Sequence, residues 1–176
     1  NRFKSNWEKN LGPLQTILFS TAVYKIPQKL EPKSILDFGA GMGDSVPLLL
    51  SRFPGAKVNL WDFSQHAREI QIKRYSKYAT IHNEKPKNKF ELVYCSNVIE
   101  HIDDCESIIK DICNLSKRWV ILQVPFDERH DDGSDITLER PKDEHVRTIK
   151  KEFKQYLPNQ FQWKTEVFEI PYAWSG

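Results

Sequence analysis

The stretch ILDFGAGMGDS, residues 35–45, places Gly39, Gly41 and Gly43 directly after a short apolar run. A glycine turn between a parallel strand and a helix presents backbone N–H groups at the carboxyl edge of a sheet, where ligands bind in open α/β folds. The spacing does not fit the dinucleotide fingerprint, because Asp44 holds the position of its last glycine, and no Gly-Lys-Ser/Thr follows for a phosphate loop. The turn is predicted to bind another ligand; the alternative is that the glycines serve only a tight turn.

Two carboxylates narrow the choice of ligand. Asp37 lies two residues before the first glycine, and Asp62 ends the next apolar run. A carboxylate at the strand end repels phosphate but suits an ammonium group, and the second carboxylate is placed to accept hydrogen bonds from both ribose hydroxyls. These features predict a nucleoside with a cationic tail and no phosphate, a description that S-adenosylmethionine meets. Alternatively, Asp62 helps to cap the helix that follows Ser64.

Alternating apolar runs and helical patterns surround these carboxylates. The predicted strands are Ser34 to Phe38, Lys57 to Asp62, Ala79 to Asn83, Phe90 to Cys95 and Trp119 to Val124. The predicted helices run from Val46 to Phe53, from Ser64 to about Tyr78 and from Asp104 to Ser116. Such alternation predicts a doubly wound, mostly parallel α/β sheet with helices on both faces.

The two ends of the chain and one long loop complete the predicted single domain over residues 1–176. An amphipathic helix is expected within residues 1–30, and the native chain is expected to be longer because the sequence starts with Asn1. The acidic, aperiodic residues 125–143 are predicted to form a loop insertion over the site. A helix is predicted on Val146, Ile149, Phe153 and Leu157, followed by an antiparallel or edge strand from Phe161 to Ile170.

From about Ser34 to Leu157 the chain resembles the small-molecule branch of the class I S-adenosylmethionine-dependent methyltransferases. The stretch LDFGAGMG is similar to their first motif, and LWDFS to their ribose-binding second strand. The stretch FELVYCSNVIEHIDD is similar to their fourth strand and turn, and EHVRTIKKEF to the helix after the fifth strand. The resemblance implies a Rossmann-like fold and methyl transfer from S-adenosylmethionine, with S-adenosylhomocysteine as product.

The resemblance also implies roles for individual residues on the cofactor side. The cofactor-binding residues are then Asp37, Gly39, Gly41, Gly43, Asp62, Phe63, Ser96 and Asn97. Asp37 orients the glycine turn or the amino group, Asp62 takes the ribose, and Phe63 or Trp61 flanks the adenine. Ser96 and Asn97 lie beside the cofactor, or Asn97 only caps the next short helix.

On the acceptor side, His101 and His145 are the candidate catalytic residues. An imidazole has an unperturbed pKa near ~6.5 and can take a proton from an attacking hydroxyl. The alternatives are a helix-packing role for His101 and a capping role for His145, with Glu100 as a structural partner. The acidic residues of the long loop invite a metal site, but a solvated loop explains them as well, and no metal is predicted; they are Glu128, Asp131, Asp132 and Asp135, beside His130.

The composition and the absence of certain motifs narrow the class of molecule that accepts the methyl group. Lys and Arg number 26 against 24 Asp and Glu, and no basic stripe marks a nucleic-acid surface. No Asn/Asp-Pro-Pro motif follows the fourth predicted strand, no Pro-Cys nucleophile is present, and no apolar run spans a membrane. Three cysteines without a CxxC pair favour a cytoplasmic protein. We expect O- or N-methylation of a small acceptor such as a sugar or secondary metabolite; the alternatives are a macromolecule-directed enzyme whose recognition module is missing, and a non-catalytic cofactor-binding relative.

Overall fold

The computed structural model describes residues 21–26, 29–142 and 144–167. Within these ranges the chain forms two compact units, which divide between Pro86 and Lys87. The first unit carries the glycine turn, and the second carries both candidate catalytic histidines. None of the helices in the described ranges is long and apolar enough to cross a membrane.

Among the described residues, the first unit contains three parallel strands and two α-helices. A 3-10 helix, Thr21–Lys25, is followed by β1 (Ser34–Phe38), α1 (Val46–Arg52), β2 (Lys57–Trp61), α2 (Gln65–Tyr75) and β3 (Ala79–Ile81). Strand β2 lies between β1 and β3, and both pairings are parallel. The register places Phe38 opposite Trp61, so the two strands that precede the glycine turn and Asp62 end side by side. These strands and helices confirm the predicted alternation.

Local sequence explains why these elements start where they do. Strand β1 buries four of its five residues, as a continuous apolar run in a parallel sheet should. Pro47 lies in the first turn of α1, where its missing N–H costs nothing. The hydroxyl of Ser64 accepts a hydrogen bond from the Ala67 N–H at 3.3 Å, which caps α2 as predicted.

Among its described residues, the second unit contains two paired parallel strands, and one amphipathic helix connects them along the chain. Its elements are β4 (Phe90–Ser96), a 3-10 helix at Ile99–His101, α3 (Cys105–Leu115), β5 (Ser116–Gln123) and a second 3-10 helix at Lys151–Tyr156. Asp104 caps α3 by accepting the Ser107 N–H at 3.0 Å. All three cysteines, Cys95, Cys105 and Cys113, are buried free thiols.

The helix predicted from His145 to Leu157 is wrong over its first half. Residues 146–150 have no regular secondary structure, and only Lys151–Tyr156 is helical, in 3-10 form. The backbone of Thr148 donates to Ile136 O at 3.0 Å, and Asp127 N donates to Ile149 O at 2.8 Å. These long-range bonds to the loop replace the i to i+4 bonds of a helix, so tertiary pairing overrides the helical spacing of apolar residues.

The predicted terminal elements find no support among the described residues. Residues 161–167 form no strand, and residues 168–170 of the expected antiparallel strand lie outside the described ranges. Every strand pairing within the two units is parallel. The expected amphipathic helix near the N-terminus also lies outside the described ranges, apart from the 3-10 turn at Thr21–Lys25.

Candidate functional site

The glycine turn follows β1 as a tight loop in left-handed backbone conformations. Gly39, Gly41 and Gly43 have φ of 74°, 52° and 82°, values that side-chain-bearing residues rarely adopt. The N–H of Gly39 donates to Trp61 O at 2.9 Å, which ties the start of the turn to the end of β2. The alternation of glycine with other residues therefore meets a backbone requirement of this turn.

Asp62 holds the middle of this turn from the end of β2. Its Oδ2 accepts the N–H of Gly41 at 2.8 Å, and its Oδ1 accepts the N–H of Ser64 at 2.8 Å. The capping contact that the sequence offered as an alternative is therefore present. Each carboxylate oxygen can still accept a second hydrogen bond, so capping does not use up the side chain's capacity for a ribose hydroxyl.

Gln71, which the sequence analysis missed, holds the same glycine from the other side. Its Nε2 donates to Gly41 O at 2.6 Å, and the side chain is fully buried on α2. Asp62 and Gln71 thus clamp both the N–H and the C=O of Gly41. The available sequence signal was the spacing of Ala67 and Gln71, four residues apart, which places them on one face of a helix.

Asp37 is buried beneath the turn and does not face solvent. It accepts a hydrogen bond from the hydroxyl of Ser45, at the start of α1. Burial raises the pKa of Asp37 to about 7, the Ser45 hydroxyl opposes that rise, and the nearby Asp62 carboxylate adds to it. Of the two roles implied for Asp37, its observed contact corresponds to orienting the glycine turn.

The raised pKa of Asp37 predicts how stability depends on pH. The folded pKa lies above the usual value of 3.8, so this contribution to stability is complete below about pH 4 and is lost as the pH rises toward 7. Asp37→Asn, which keeps an acceptor for Ser45, should match wild type below about pH 4 and exceed its unfolding free energy by more at pH 8 than at pH 5. The gain should be of the order of 4 kcal/mol at most.

Denaturant unfolding of both proteins at the two pH values measures this difference. Because every other titratable group is shared, subtracting the two profiles isolates Asp37. A variant that is destabilised equally at pH 5 and pH 8 would show that Asp37 is ionised in the folded protein throughout this range.

The surroundings of Gly41 fit a bound cofactor. A Cβ built on Gly41 would meet no atom within 4 Å, whereas one on Gly43 would lie 2.8 Å from the ring of Tyr75. Open space therefore adjoins Gly41, the glycine that Asp62 and Gln71 hold. Trp61, the last residue of β2, is buried. Its ring centroid lies 4.6 Å from that of Phe63, whose side chain is 46% exposed. Of the two candidates for the adenine contact, Phe63 presents the accessible ring.

In the second unit, Ser96 and Asn97 lie at the end of β4. Ser96 is the last residue of β4 and lies opposite Gln123 in the pairing with β5, and Asn97, the next residue, donates its N–H to Gln123 O at 3.0 Å. Asn97 has φ of 53°, an uncommon conformation for a residue with a side chain. Its buried Oδ1 has no hydrogen-bond partner among the described residues. The alternative role for Asn97 as a cap finds no support, because the N-cap residue of the following 3-10 helix is Val98.

The two candidate catalytic histidines lie together in the second unit. The rings of His101 and His145 are 4.6 Å apart between centroids, in an edge-to-face arrangement. His145 is 6% exposed, and its Nδ1 lies 2.5 Å from Oε2 of Glu128. The Nδ1 of His101 lies 3.1 Å from Glu144 O. Desolvation lowers the pKa of His101, and the neighbouring His145 lowers it further.

Long-range hydrogen bonds assemble this histidine pair. His145 does not open a helix as predicted but forms an isolated bridge with Lys142, and the next residue, Val146, donates its N–H to Glu100 O at 2.8 Å. Arg147 donates to the carbonyls of Ile102 and Asp103, the latter at 2.6 Å. The irregular segment after His145 is therefore hydrogen-bonded to the turn that carries His101.

The acidic loop is held together by ion pairs rather than presented as an open cluster. Asp135 pairs with Arg129 at 2.7 Å and also with Lys150, and Asp132 pairs with Arg140 at 2.7 Å. Other bonds within the loop join Arg129 to Asp127, Lys142 to Asp131 and His130 Nε2 to Arg140 O. Asp127, Asp131, Asp132 and Asp135 thus have basic partners that stabilise an irregular backbone.

Comparisons with known proteins agree with this arrangement. A family model described as a methyltransferase domain matches residues 15–165. The chain is 29% identical over 154 residues to malonyl-[acyl-carrier protein] O-methyltransferase of Neorickettsia risticii (strain Illinois), covering 81% of this chain and 60% of that protein. The chain thus spans 60% of the length of this relative.

Solved structures show the same fold. Coclaurine N-methyltransferase, bound to N-methylheliamine and SAH, aligns with a TM-score of 0.60 at 12% identity over 82% of this chain and 48% of that one. The plantazolicin methyltransferase BpumL, in complex with a desmethyl substrate analogue and SAH, aligns with a TM-score of 0.52 at 16% identity over 69% and 51%. By the family match, the chain belongs to the methyltransferase domain family, and it shares the fold of these SAH-bound methyltransferases.

Proposed function

We propose that this chain transfers a methyl group from S-adenosylmethionine to an oxygen or nitrogen of a small polar acceptor. The observation that carries the proposal is the environment of Gly41. Its N–H donates to Asp62, its C=O accepts from Gln71, and open space adjoins its Cα. The cofactor supplies an electrophilic methyl group on a sulfonium. The chain's own residues bind and orient the reactants and exclude water.

The proposed cofactor contacts are those predicted from the sequence, and each residue is assigned one role. Asp62 accepts from the ribose hydroxyls, Phe63 covers the adenine, and the backbone at Gly39 and Gly41 admits the methionine part. Asp37 and Gly43 support the turn from beneath. Ser96 and Asn97 stay predicted cofactor contacts, and the buried Oδ1 of Asn97, which has no hydrogen-bond partner among the described residues, supports a polar ligand contact at that residue.

On the acceptor side, we assign the removal of an acceptor proton to the cluster that contains His101 and His145. The edge-to-face contact of the two rings and the orientation of His145 by Glu128 support this assignment. An oxygen acceptor is favoured over nitrogen by the relative that methylates malonyl-[acyl-carrier protein] on oxygen. A small molecule or an acyl group presented by a carrier protein would each suit that chemistry.

Calorimetric titration with S-adenosylhomocysteine tests the cofactor side. One saturable equivalent should bind, while ATP, which shares the adenosine but carries phosphates, should bind at least roughly tenfold more weakly because the carboxylate of Asp62 repels the phosphates. Failure of the folded chain to bind S-adenosylhomocysteine would exclude the enzyme proposal. Equal affinity for ATP would instead indicate a general nucleotide site.

A further inference from the structure

We infer that Glu100, His101 and His145 form a binding site for one divalent transition-metal ion in the second unit. Each residue offers one ligand atom, and these three atoms lie within 4.8 Å of one another. Ligands around a zinc-sized ion lie about 2.0 to 2.2 Å from it and therefore roughly 3 to 4 Å from each other. Shifts of about 1 Å or less would close the three groups around an ion.

Glu100 is the observation that points to a ligand. Its side chain is fully buried, yet neither carboxylate oxygen has a hydrogen-bond partner of normal geometry among the described residues. Buried carboxylates are nearly always paired or bound to metal, because desolvating an unpaired one costs several kcal/mol. A cation between Glu100 and the two imidazoles would offset that cost.

The orientation of both imidazoles agrees with a metal site. His145 directs Nδ1 at the Glu128 carboxylate and His101 directs Nδ1 at a backbone carbonyl. A carbonyl oxygen or a carboxylate accepts hydrogen bonds, so both rings carry their proton on Nδ1 and the lone pair of each neutral ring lies on Nε2. Metal-bound histidines show this arrangement, in which a carboxylate or carbonyl fixes the other ring nitrogen.

The ligand set selects the class of ion. Two imidazoles and one carboxylate suit Zn²⁺ and its neighbours from Mn²⁺ to Ni²⁺, whereas Mg²⁺ and Ca²⁺ prefer sites made of oxygen ligands. Three protein ligands leave coordination positions open for an oxygen of the acceptor. With Nε2 on the ion and a proton on Nδ1, neither imidazole is a base; a bound ion would instead lower the pKa of the acceptor hydroxyl, which would release its proton to solvent water. Only this catalytic consequence rests on the proposed function.

Titration of the tag-free, chelator-treated chain with Co²⁺ tests the site, followed by calorimetry and by visible absorption. One equivalent should bind with new visible bands, and Zn²⁺ should displace it while Mg²⁺ should not. His101→Ala and His145→Ala should each weaken Co²⁺ binding by roughly 100-fold or more, and Glu100→Gln by at least roughly tenfold. Glu128→Gln, which alters only the group behind His145, should weaken it about tenfold.

A matched control uses the acidic loop. His130→Ala removes a histidine that also lies near carboxylates but whose Nε2 bonds to Arg140 O, and it should leave Co²⁺ affinity unchanged. Titrating every variant with S-adenosylhomocysteine as well shows that it is folded and separates the two proposals. Absence of a saturable Co²⁺ site in the wild-type chain, or equal Co²⁺ affinity in the Glu100, His101 and His145 variants, overturns the metal inference even if S-adenosylhomocysteine binds.

Discussion

Asp62→Ala should lower the affinity for S-adenosylhomocysteine by roughly 100-fold. Hydrogen bonds to a charged acceptor are worth about 1.5 to 3 kcal/mol each, and losing two ribose contacts would cost about 3 kcal/mol, which corresponds to that factor. The variant also removes the acceptor for the N–H groups of Gly41 and Ser64. Some loss of affinity therefore comes from a less ordered glycine turn.

Two controls separate these contributions. Asp62→Asn keeps a carbonyl oxygen for one backbone N–H and should lose less affinity than alanine. Asp44→Asn changes another carboxylate of the same turn, which pairs with Arg74 at 3.2 Å, and should change the affinity by less than about threefold. Calorimetric titration at one pH measures all four proteins. Unchanged affinity in Asp62→Ala would mean that Asp62 only caps the turn and that the ribose lies elsewhere.

Alanine at two glycines of the same turn should separate folding from cofactor binding. Gly43→Ala places a Cβ 2.8 Å from the Tyr75 ring at φ of +82°. Overpacking and the left-handed backbone together should cost about 3 kcal/mol of unfolding free energy, or roughly 6 to 12 °C in Tm for a chain of this size. Gly41→Ala adds a Cβ in open space at φ of +52° and should cost about 1 kcal/mol.

For ligand binding, Gly41→Ala should cause the larger loss, although Gly43→Ala causes the larger loss of stability. The Cβ on Gly41 would project into the space proposed for the methionine part of the cofactor, so S-adenosylhomocysteine affinity should fall at least roughly tenfold although the fold is little affected. Thermal unfolding and calorimetry give the two readouts. In Gly43→Ala, the further change Tyr75→Leu should recover the overpacking part but not the backbone part. A Gly41→Ala variant that binds normally would place the cofactor away from this glycine.

Sequence patterns predicted the first unit closely because its signals are local. The bounds predicted for β1 match those observed, and β2 and α1 each end within one residue of the prediction. The apolar run, the glycines and the Ser64 cap act on neighbouring residues, so one-dimensional spacing captures them. The helix predicted after His145 failed because hydrogen bonds to Ile136 and Asp127, distant in sequence, outweigh helical spacing.

The candidate site likewise has features that local sequence predicted and features that depend on tertiary packing. By itself, the sequence indicated the class of donor, since Asp37, the glycine turn and Asp62 follow one another along a strand-turn-helix-strand unit whose backbone needs are local. Only the tertiary structure decided that Gln71 clamps Gly41 and that the buried carboxylate of Glu100 faces His101 and His145. Those contacts depend on which distant segments pack together and on what burial does to an unpaired charge, and neither is written in residue spacing.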